Sequence, residues 1–412
     1  MPIQDFPLEL ISDFVPYDSG AALDSASRLR AAGHSPEAVS FILNQAKLRT
    51  RARAKIGERA DSMLLTEAGL EQATRTAVAS YHAQRFVAAG IGSVADLGCG
   101  LGFDSLAFAA AGLSTVSVEI DPETAAFTDY NLRDFPASQV ICSDAQALAP
   151  QDLKDDAGAP VAALWLDPAR REIEGKKTTS RLFDPEAFAP PFSHVLKLAA
   201  TGIPLAVKMG PGLPHEVIPE NCEAQWVSHG GSVVEVVLWF NALARPGIKR
   251  SALLLGPDPL HPQVLCELVS EEPESDPAET AELADFLFEP NGAVVRSHLV
   301  ADLASLTGTY LLDEHIAYLT SDRPVSHPAL AGFRVLATMP IHEKTLKRWV
   351  KEEGIGTLTI KKRGVDISPE ELRKKLLAGG KKKGKKSATL ILTRLGEGRD
   401  SRRVAIHAEP LE

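Results

Sequence analysis

At 412 residues the chain is too long for one average domain and points to two or three. An apolar share of 44% with 24% charged residues is that of a globular protein, and it contains no apolar run long enough for a membrane-spanning helix. The net charge of −10 conceals opposed halves: from Ile341 onward Lys and Arg outnumber Asp and Glu 19 to 10, whereas before it they are outnumbered 44 to 25. A basic appendage on an acidic body points to nucleic acid as a partner. The acidic opening MPIQDFPLELISDF lacks the basic-then-apolar order of a secretory leader. Cys99, Cys142, Cys222 and Cys266 form no CxxC pair and the histidines no HxxxH, so the expectation is reduced thiols, a cytoplasmic setting and no metal.

Residues 1–90 read as a helical region. Ser35-Pro36-Glu37 is a helix start, and a second apolar period runs from Leu64 to a closing glycine, Gly90. Residues 91–258 alternate strand and helix patterns. Strands are expected at Ser93–Leu97, Ser114–Val118, Ser138–Cys142, Ala162–Leu166, Pro204–Val207, Ser232–Leu238 and Ala252–Leu255. Helices are expected at Asp104–Ala111, Pro122–Asp134 and Pro185–Ala199. Such alternation predicts an α/β fold with a doubly wound, mostly parallel Rossmann-like sheet. Residues 259–332 read as an acidic, proline-rich linker followed by a helical connector over Leu283–Thr320. Residues 333–412 form a small basic α+β unit: strand Phe333–Met339, helix Glu343–Glu352, strand Gly356–Lys362, helix Pro369–Leu377, strand Ala388–Arg394 and a last strand at Arg403–His407.

The chemistry gathers at VADLGCGLGFD. Gly98, Gly100 and Gly102 follow the first strand directly, and without Cβ atoms they let backbone approach a ligand. A dinucleotide site would show G-x-G-x-x-G and place a diphosphate on the next helix. Here the spacing is G-x-G-x-G, and Asp96 and Asp104 flank it, which would repel a diphosphate. A cofactor bearing a positive sulfonium and no phosphate fits better, and S-adenosylmethionine is that cofactor. Glu119, ending the second strand, suits the two ribose hydroxyls; Asp144, after the third, suits the adenine amino group. Three strand ends thus carry three acids in order.

The fourth strand ends in Asp167-Pro168-Ala169-Arg170-Arg171. Amino-methyltransferases acting on nucleobases carry D/N-P-P-aromatic at this position. The side-chain oxygen and a proline-fixed carbonyl accept from an exocyclic NH₂ and steer its lone pair at the methyl carbon, so the need is chiefly one of orientation. This chain keeps Asp167 and Pro168 but has Ala169 and Arg170 in place of the second proline and the aromatic. Arg170 can stack on a base, pair with a phosphate or serve a structural ion pair. Lys208, in VKMGPG, falls on the same rim, where it either meets substrate or caps the loop.

These residues resemble a bacterial family of class I methyltransferases with a C-terminal THUMP-like domain, assigned to RNA. The likeness rests on GLEQATR (Gly69–Arg75), DLGCGLGFDS (Asp96–Ser105), VEIDPE (Val118–Glu123), LDPARR (Leu166–Arg171), KMGPG (Lys208–Gly212), EPNGAVVR (Glu289–Arg296) and IKKRG (Ile360–Gly364). The core is also similar to trimethylguanosine synthase, which methylates a guanine amino group. The resemblance implies S-adenosylmethionine at Asp96, Gly98, Gly100, Gly102, Glu119 and Asp144, a target held at Asp167–Arg170, and RNA on the terminal domain. It accounts for the strand pair VVEVVLWF and SALLL, which follow each other without a helix.

In the terminal unit Lys361, Lys362 and Arg363 end a strand, Arg373–Lys375 lie on a helix and Lys381–Lys386 fill a loop. Such charge gives sequence-independent phosphate contacts; with Trp349 the one aromatic after Phe333, backbone or shape recognition is favoured over base stacking. The alternatives are a methyltransferase acting on a protein or small molecule, and a non-catalytic RNA-binding scaffold with a vestigial cofactor site.

Overall fold

The computed structural model describes residues 3, 6–170, 185–378, 384–396 and 401–411. Arg171 and Lys381–Lys383 lie outside the described residues. The chain divides into two compact units, Met1–Gln225 with Val234–Gly247 and Leu255–Val264, and Trp226–Val233 with Ile248–Leu254 and Leu265–Glu412.

The first unit opens with helices α1 (Ala22–Ala31), α2 (Pro36–Ile56), α3 (Glu67–Gln72) and α4 (Thr76–Ala88). The start of α2 is the one read from sequence: Ser35 accepts from the Ala38 amide at 3.2 Å, and Pro36 takes the position where a missing N–H costs nothing. The period from Leu64 to Gly90 is broken between α3 and α4, where Ala73 leaves helical geometry at ψ 130°. That break has a use described below.

Then follow β1 (Ser93–Leu97), α5 (Phe103–Ala110), β2 (Ser114–Glu119), α6 (Pro122–Leu132), β3 (Ser138–Cys142), β4 (Ala163–Leu166), β5 (Ala169–Arg170), β6 (Phe188–Ala189), α7 (Phe192–Ala199), β7 (Leu205–Met209), β8 (Cys222–His229) and β9 (Ser232–Phe240). Within this unit the strands order as β9-β7-β4-β1-β2-β3. The β7-β4-β1-β2-β3 pairs are parallel and β9 runs antiparallel to β7. The order reverses at β1, so the ends of β1 and β4 open onto the crevice where such sheets bind ligands. The expected helix over Pro185–Ala199 is instead a short turn, β6 and then α7. Pro190 and Pro191 explain it, since proline removes an N–H and bars its predecessor from helical ψ.

Two apolar clusters among the described residues position the site. In one, Phe86 of α4 and Phe108 of α5 pack on Trp165 and Trp239, with ring centroids 5.0–6.3 Å apart. In the other, Ile42, Ala46 and Leu48 of α2 meet Leu101, Phe103 and Phe127. Buried Gln45 and Arg49 of α2 hydrogen-bond the backbone of Leu65 and Met63, so this helical layer fixes the chain leading into α3.

The remaining elements are β10 (Arg250–Leu255), β11 (Val264–Ser270), β12 (Phe286–Pro290), α8 (Gly292–Arg296), α9 (Val300–Thr307), β13 (Tyr310–Asp313), β14 (Ile316–Ser321), β15 (Leu330–Pro340), α10 (Glu343–Glu352), β16 (Ile355–Lys362), α11 (Pro369–Leu377), β17 (Lys386–Leu395) and β18 (Arg402–Pro410). The helical connector expected over Leu283–Thr320 is therefore corrected: two short helices sit among three strands. Short apolar runs such as FLFEP and IAYLTS cannot be told from helix by period alone. The second unit's sheet orders as β13-β14-β12-β15-β18-β17-β16. Among the described residues β16 and β17 pair in parallel and the other neighbours in this sheet are antiparallel. Both helices of the terminal segment, α10 and α11, fall where the sequence put them.

Candidate active site

The turn after β1 is pinned to the end of β2. The amides of Gly98 and Cys99 both donate to the Val118 carbonyl, at 2.9 and 3.0 Å. Gly98, Gly100 and Gly102 all take positive φ (87°, 53° and 80°), the region a side chain resists. At Gly102 space is closed as well, because a Cβ would lie 2.8 Å from the Thr128 methyl group. Glu119 spans this turn: Oε2 accepts from Gly100 N at 3.0 Å and Oε1 from Asp121 N at 2.9 Å. Each carboxylate oxygen has a second lone pair, so the bonds that orient Glu119 leave capacity for a ligand's hydroxyls. Asp144 is exposed and caps a short turn, accepting from Gln146 N at 2.9 Å.

Beneath the turn lies a buried polar cluster. Asp96 is 1% exposed; the Ser105 hydroxyl donates to its Oδ2 at 2.5 Å and itself accepts from Ser117 at 2.8 Å. Its Oδ1 has no hydrogen-bond partner among the described residues. Burial, reinforced by the charge of Asp104, pushes the Asp96 carboxyl up to about 8. Asp104, buried at the start of α5, accepts from Thr74 at 2.9 Å. Lys208 of β7 donates to Thr74 Oγ1 at 2.7 Å, lies 3.5 Å from Asp104 Oδ2 and forms an ion pair with Asp167 Oδ2. Burial opposes the lysine's charge, but Asp167, Asp104 and Glu235 outweigh it, so Lys208 is held above the usual lysine range. His82, wholly buried against Trp165 at 4.8 Å between ring centroids, points Nε2 at Glu235 Oε1 (2.8 Å).

Above this cluster opens a cleft of about 1850 Å³. It brings together Gly98, Gly100, Glu119, Asp144, Asp167, Pro168 and Lys208. Asp96 and Gly102 are not on its surface. The α3–α4 break, Glu71–Arg75 of the GLEQATR segment, lines one wall, which gives the interrupted helix its use. Ala169 and Arg170 pair in β5 with Ala189 and Phe188 of β6. The sequence singles out neither His82 nor Glu235, and marks Thr74 only as part of the GLEQATR segment. A polar residue in an otherwise apolar strand, as Glu235 is in VVEVVLW, was the available signal.

In the second unit, Lys361 forms an ion pair with Glu289 and sits 5.7 Å over the Phe333 ring. Arg363 lies 3.7 Å from the same carboxylate and 5.5 Å over Tyr318. Two of the three cations expected to face substrate are thus spent within the fold, while Lys362 is exposed. Exposed cations continue on α10 (Lys344, Arg348, Lys351) and α11 (Arg373, Lys374, Lys375).

The sequence is 30% identical over 366 residues to an uncharacterized S-adenosylmethionine-dependent methyltransferase of Mycobacterium tuberculosis, found alike in strains CDC 1551 and H37Rv. The match covers 87% of this chain and 93% of that one. The chain belongs to the S-adenosylmethionine-dependent methyltransferases. Residues 330–410 match the THUMP domain-like family and residues 8–52 a domain of unknown function. A candidate methyltransferase from Porphyromonas gingivalis W83 shares the fold, with a TM-score of 0.72 over 96% of this chain and 100% of that one, at 19% identity. The fold class, family and cofactor expected from the sequence therefore stand. The donor set fits S-adenosylmethionine: a cleft walled by Glu119, Asp144 and Asp167 attracts a sulfonium and repels a diphosphate. No helix among the described residues is long and apolar enough to cross a membrane, and none of their His, Cys, Asp and Glu form a metal-sized group.

Proposed function

We propose that this methyltransferase acts on an exocyclic amine of an RNA base, in a cytoplasmic setting. The observation that carries the reading is Asp167-Pro168 at the end of β4, in one cleft with the glycine turn and the strand-end acids. Gly98, Gly100 and Gly102 give the cofactor a close backbone surface, Glu119 takes the ribose hydroxyls, Asp144 the adenine amino group, and Asp96 supports the turn from below. When bound, S-adenosylmethionine supplies an electrophilic methyl group on a sulfonium. Asp167 accepts a hydrogen bond from the target amine through its side chain, and its carbonyl, whose peptide bond Pro168 fixes, accepts a second. The lone pair is thereby aimed and little general-base work is needed. Arg170 takes the place of the stacking aromatic, meeting a base or a phosphate.

The THUMP domain-like match over residues 330–410 and the exposed cations of α10 and α11 support RNA as the substrate. Among the described residues Lys361 and Arg363 of the IKKRG segment are paired, whereas Lys362 is exposed. The test is methyl transfer from labelled cofactor to fractionated RNA of a deletion strain, with the modified nucleosides then mapped. One RNA fraction acquiring label on a base amine supports the reading; label on protein or small metabolites alone overturns it. The internal pairing of Lys361 and Arg363 is the one observation favouring such a non-RNA substrate. In that case reversing the charges of Lys344, Arg348 and Lys351 leaves transfer intact.

A further inference from the structure

Lys208 is a cation surrounded by acids, and it does not stand free to greet a substrate. Its side chain is 11% exposed, whereas that of its partner Asp167 is 37% exposed and lines the cleft. The ammonium is anchored from behind by Thr74 Oγ1 at 2.7 Å and by Asp104 Oδ2 at 3.5 Å. Its contact with Asp167 uses Oδ2, and Oδ1 has no hydrogen bond among the described residues.

We propose that Lys208 is a positioning residue: it clamps one carboxylate oxygen of Asp167, holds that group ionised, and leaves the other oxygen turned to the target amine. The inference rests on the amine-directed reading above. Three facts converge on it. The lysine comes from β7, the strand next to β4, so the clamp is set by sheet register and not by a loop. Thr74 comes from the α3–α4 break, which has no other hydroxyl directed at this ammonium. The local charge makes the clamp necessary: Asp96 from β1, Asp104 from α5 and Glu235 from β9 are acids about this centre. His82 on α4 faces Glu235 and Asp104, and Lys55 and Arg75 stand at the cleft wall. With Lys208 removed, a carboxylate at Asp167 faces mainly like charge. It takes up a proton, and its acceptor oxygen is lost as a fixed point. A lysine that merely filled space would show none of this.

The test needs no substrate, so its failure is separable from failure of the RNA reading. Infrared difference spectra across pH 5 to 9 are recorded on the full chain with S-adenosylhomocysteine bound, for the parent, K208M, K208R and K208M/D167N. The expected result is a protonated-carboxyl band in K208M that the parent lacks, separate from the band of Asp96 that both share; it disappears in K208M/D167N and is absent in K208R. A K208M spectrum unchanged from the parent, or a new band that survives D167N, overturns the proposal. Should K208M fail to fold, T74V gives the same readout with the charge retained. Loosening the anchor shifts the Asp167 band upward by a smaller amount, and no shift there overturns the proposal equally.

Discussion

The two units handle charge in opposite ways. In the first, charged groups are drawn inward: Asp96, Asp104, Glu235, Lys208 and His82 are buried or nearly so, each aimed by a strand or helix. In the terminal segment of the second, the side of α10 and α11 that packs on the sheet is apolar and charge lies on their outer sides, with Glu289 paired to Lys361 and Arg363. Buried charges act at short range in a low dielectric, where one atom's position matters. Exposed charges act collectively and are screened by salt. The first arrangement suits a reaction; the second suits holding a polyanion. Each prediction below attacks one side of that contrast.

The largest effect belongs to Asp167→Ala. Loss of the aligned acceptor should lower methyl transfer by about 100-fold or more, in keeping with the cost of misplacing a reacting group. Calorimetry should show cofactor affinity within a few-fold of the parent, because the glycine turn and Glu119 are untouched. Retained transfer would remove Asp167 from the mechanism.

Next stands Gly102→Ala. A side chain at φ 80°, with its Cβ 2.8 Å from the Thr128 methyl, should destabilise the fold by about 1–3 kcal/mol and weaken cofactor binding. Denaturant midpoints and calorimetry read the two losses separately. Gly100→Ala, where a Cβ meets nothing within 4 Å, carries the φ penalty alone and should cost less.

The buried acids also set a pH dependence. Burial and the nearby Asp104 push the Asp96 carboxyl up to about 8 in the folded chain, against 3.8 for the free group. The folded state therefore keeps the proton longer: the stability tied to it is complete below the unfolded value and lost as pH rises toward about 8. One extra bound proton gives a slope of about 1.4 kcal/mol per pH unit across that window. Asp96→Asn should flatten the fall in denaturant midpoint between pH 5 and pH 8. An unchanged profile would show that Asp96 is not the group responsible.

How much of this was legible in the sequence follows the same contrast. The glycine turn and the strand-end acids are local signals, each within a few residues of a recognisable strand, and they stand where the pattern put them. The clamp was not legible, because Thr74 and Lys208 are 134 residues apart and meet only through the sheet. Thr74 lies in the GLEQATR segment that the sequence marks, but its contact with Lys208 is set only by the α3–α4 break. In the second unit the helices were legible from Ser368-Pro369 and the strong apolar period of EKTLKRWV. The strands β12 to β14 were not: a short apolar run carries no period of its own, and the partners of β12, namely β14 and β15, lie far along the chain. IKKRG misled for a related reason. Its acid, Glu289, lies 72 residues before Lys361, so the cations looked free.

The smallest effect is the most telling for the second unit. Glu289, with its side chain 20% exposed, holds both Lys361 and Arg363, and Glu289→Gln keeps its shape while removing the charge. Partly exposed pairs contribute little, so stability should fall by no more than about 1 kcal/mol. Binding to an RNA fraction should respond in the other direction. Two cations released at the sheet can reach phosphates, and each added phosphate contact steepens the dependence of log affinity on log salt by about 0.7–0.9. A titration series between 50 and 200 mM salt checks this, with triple reversal of Lys344, Arg348 and Lys351 to Glu as the opposing control that flattens the slope. If Glu289→Gln leaves the slope unchanged while the triple reversal flattens it, phosphate contact is carried by α10, and the IKKRG strand end belongs to the fold and not to recognition.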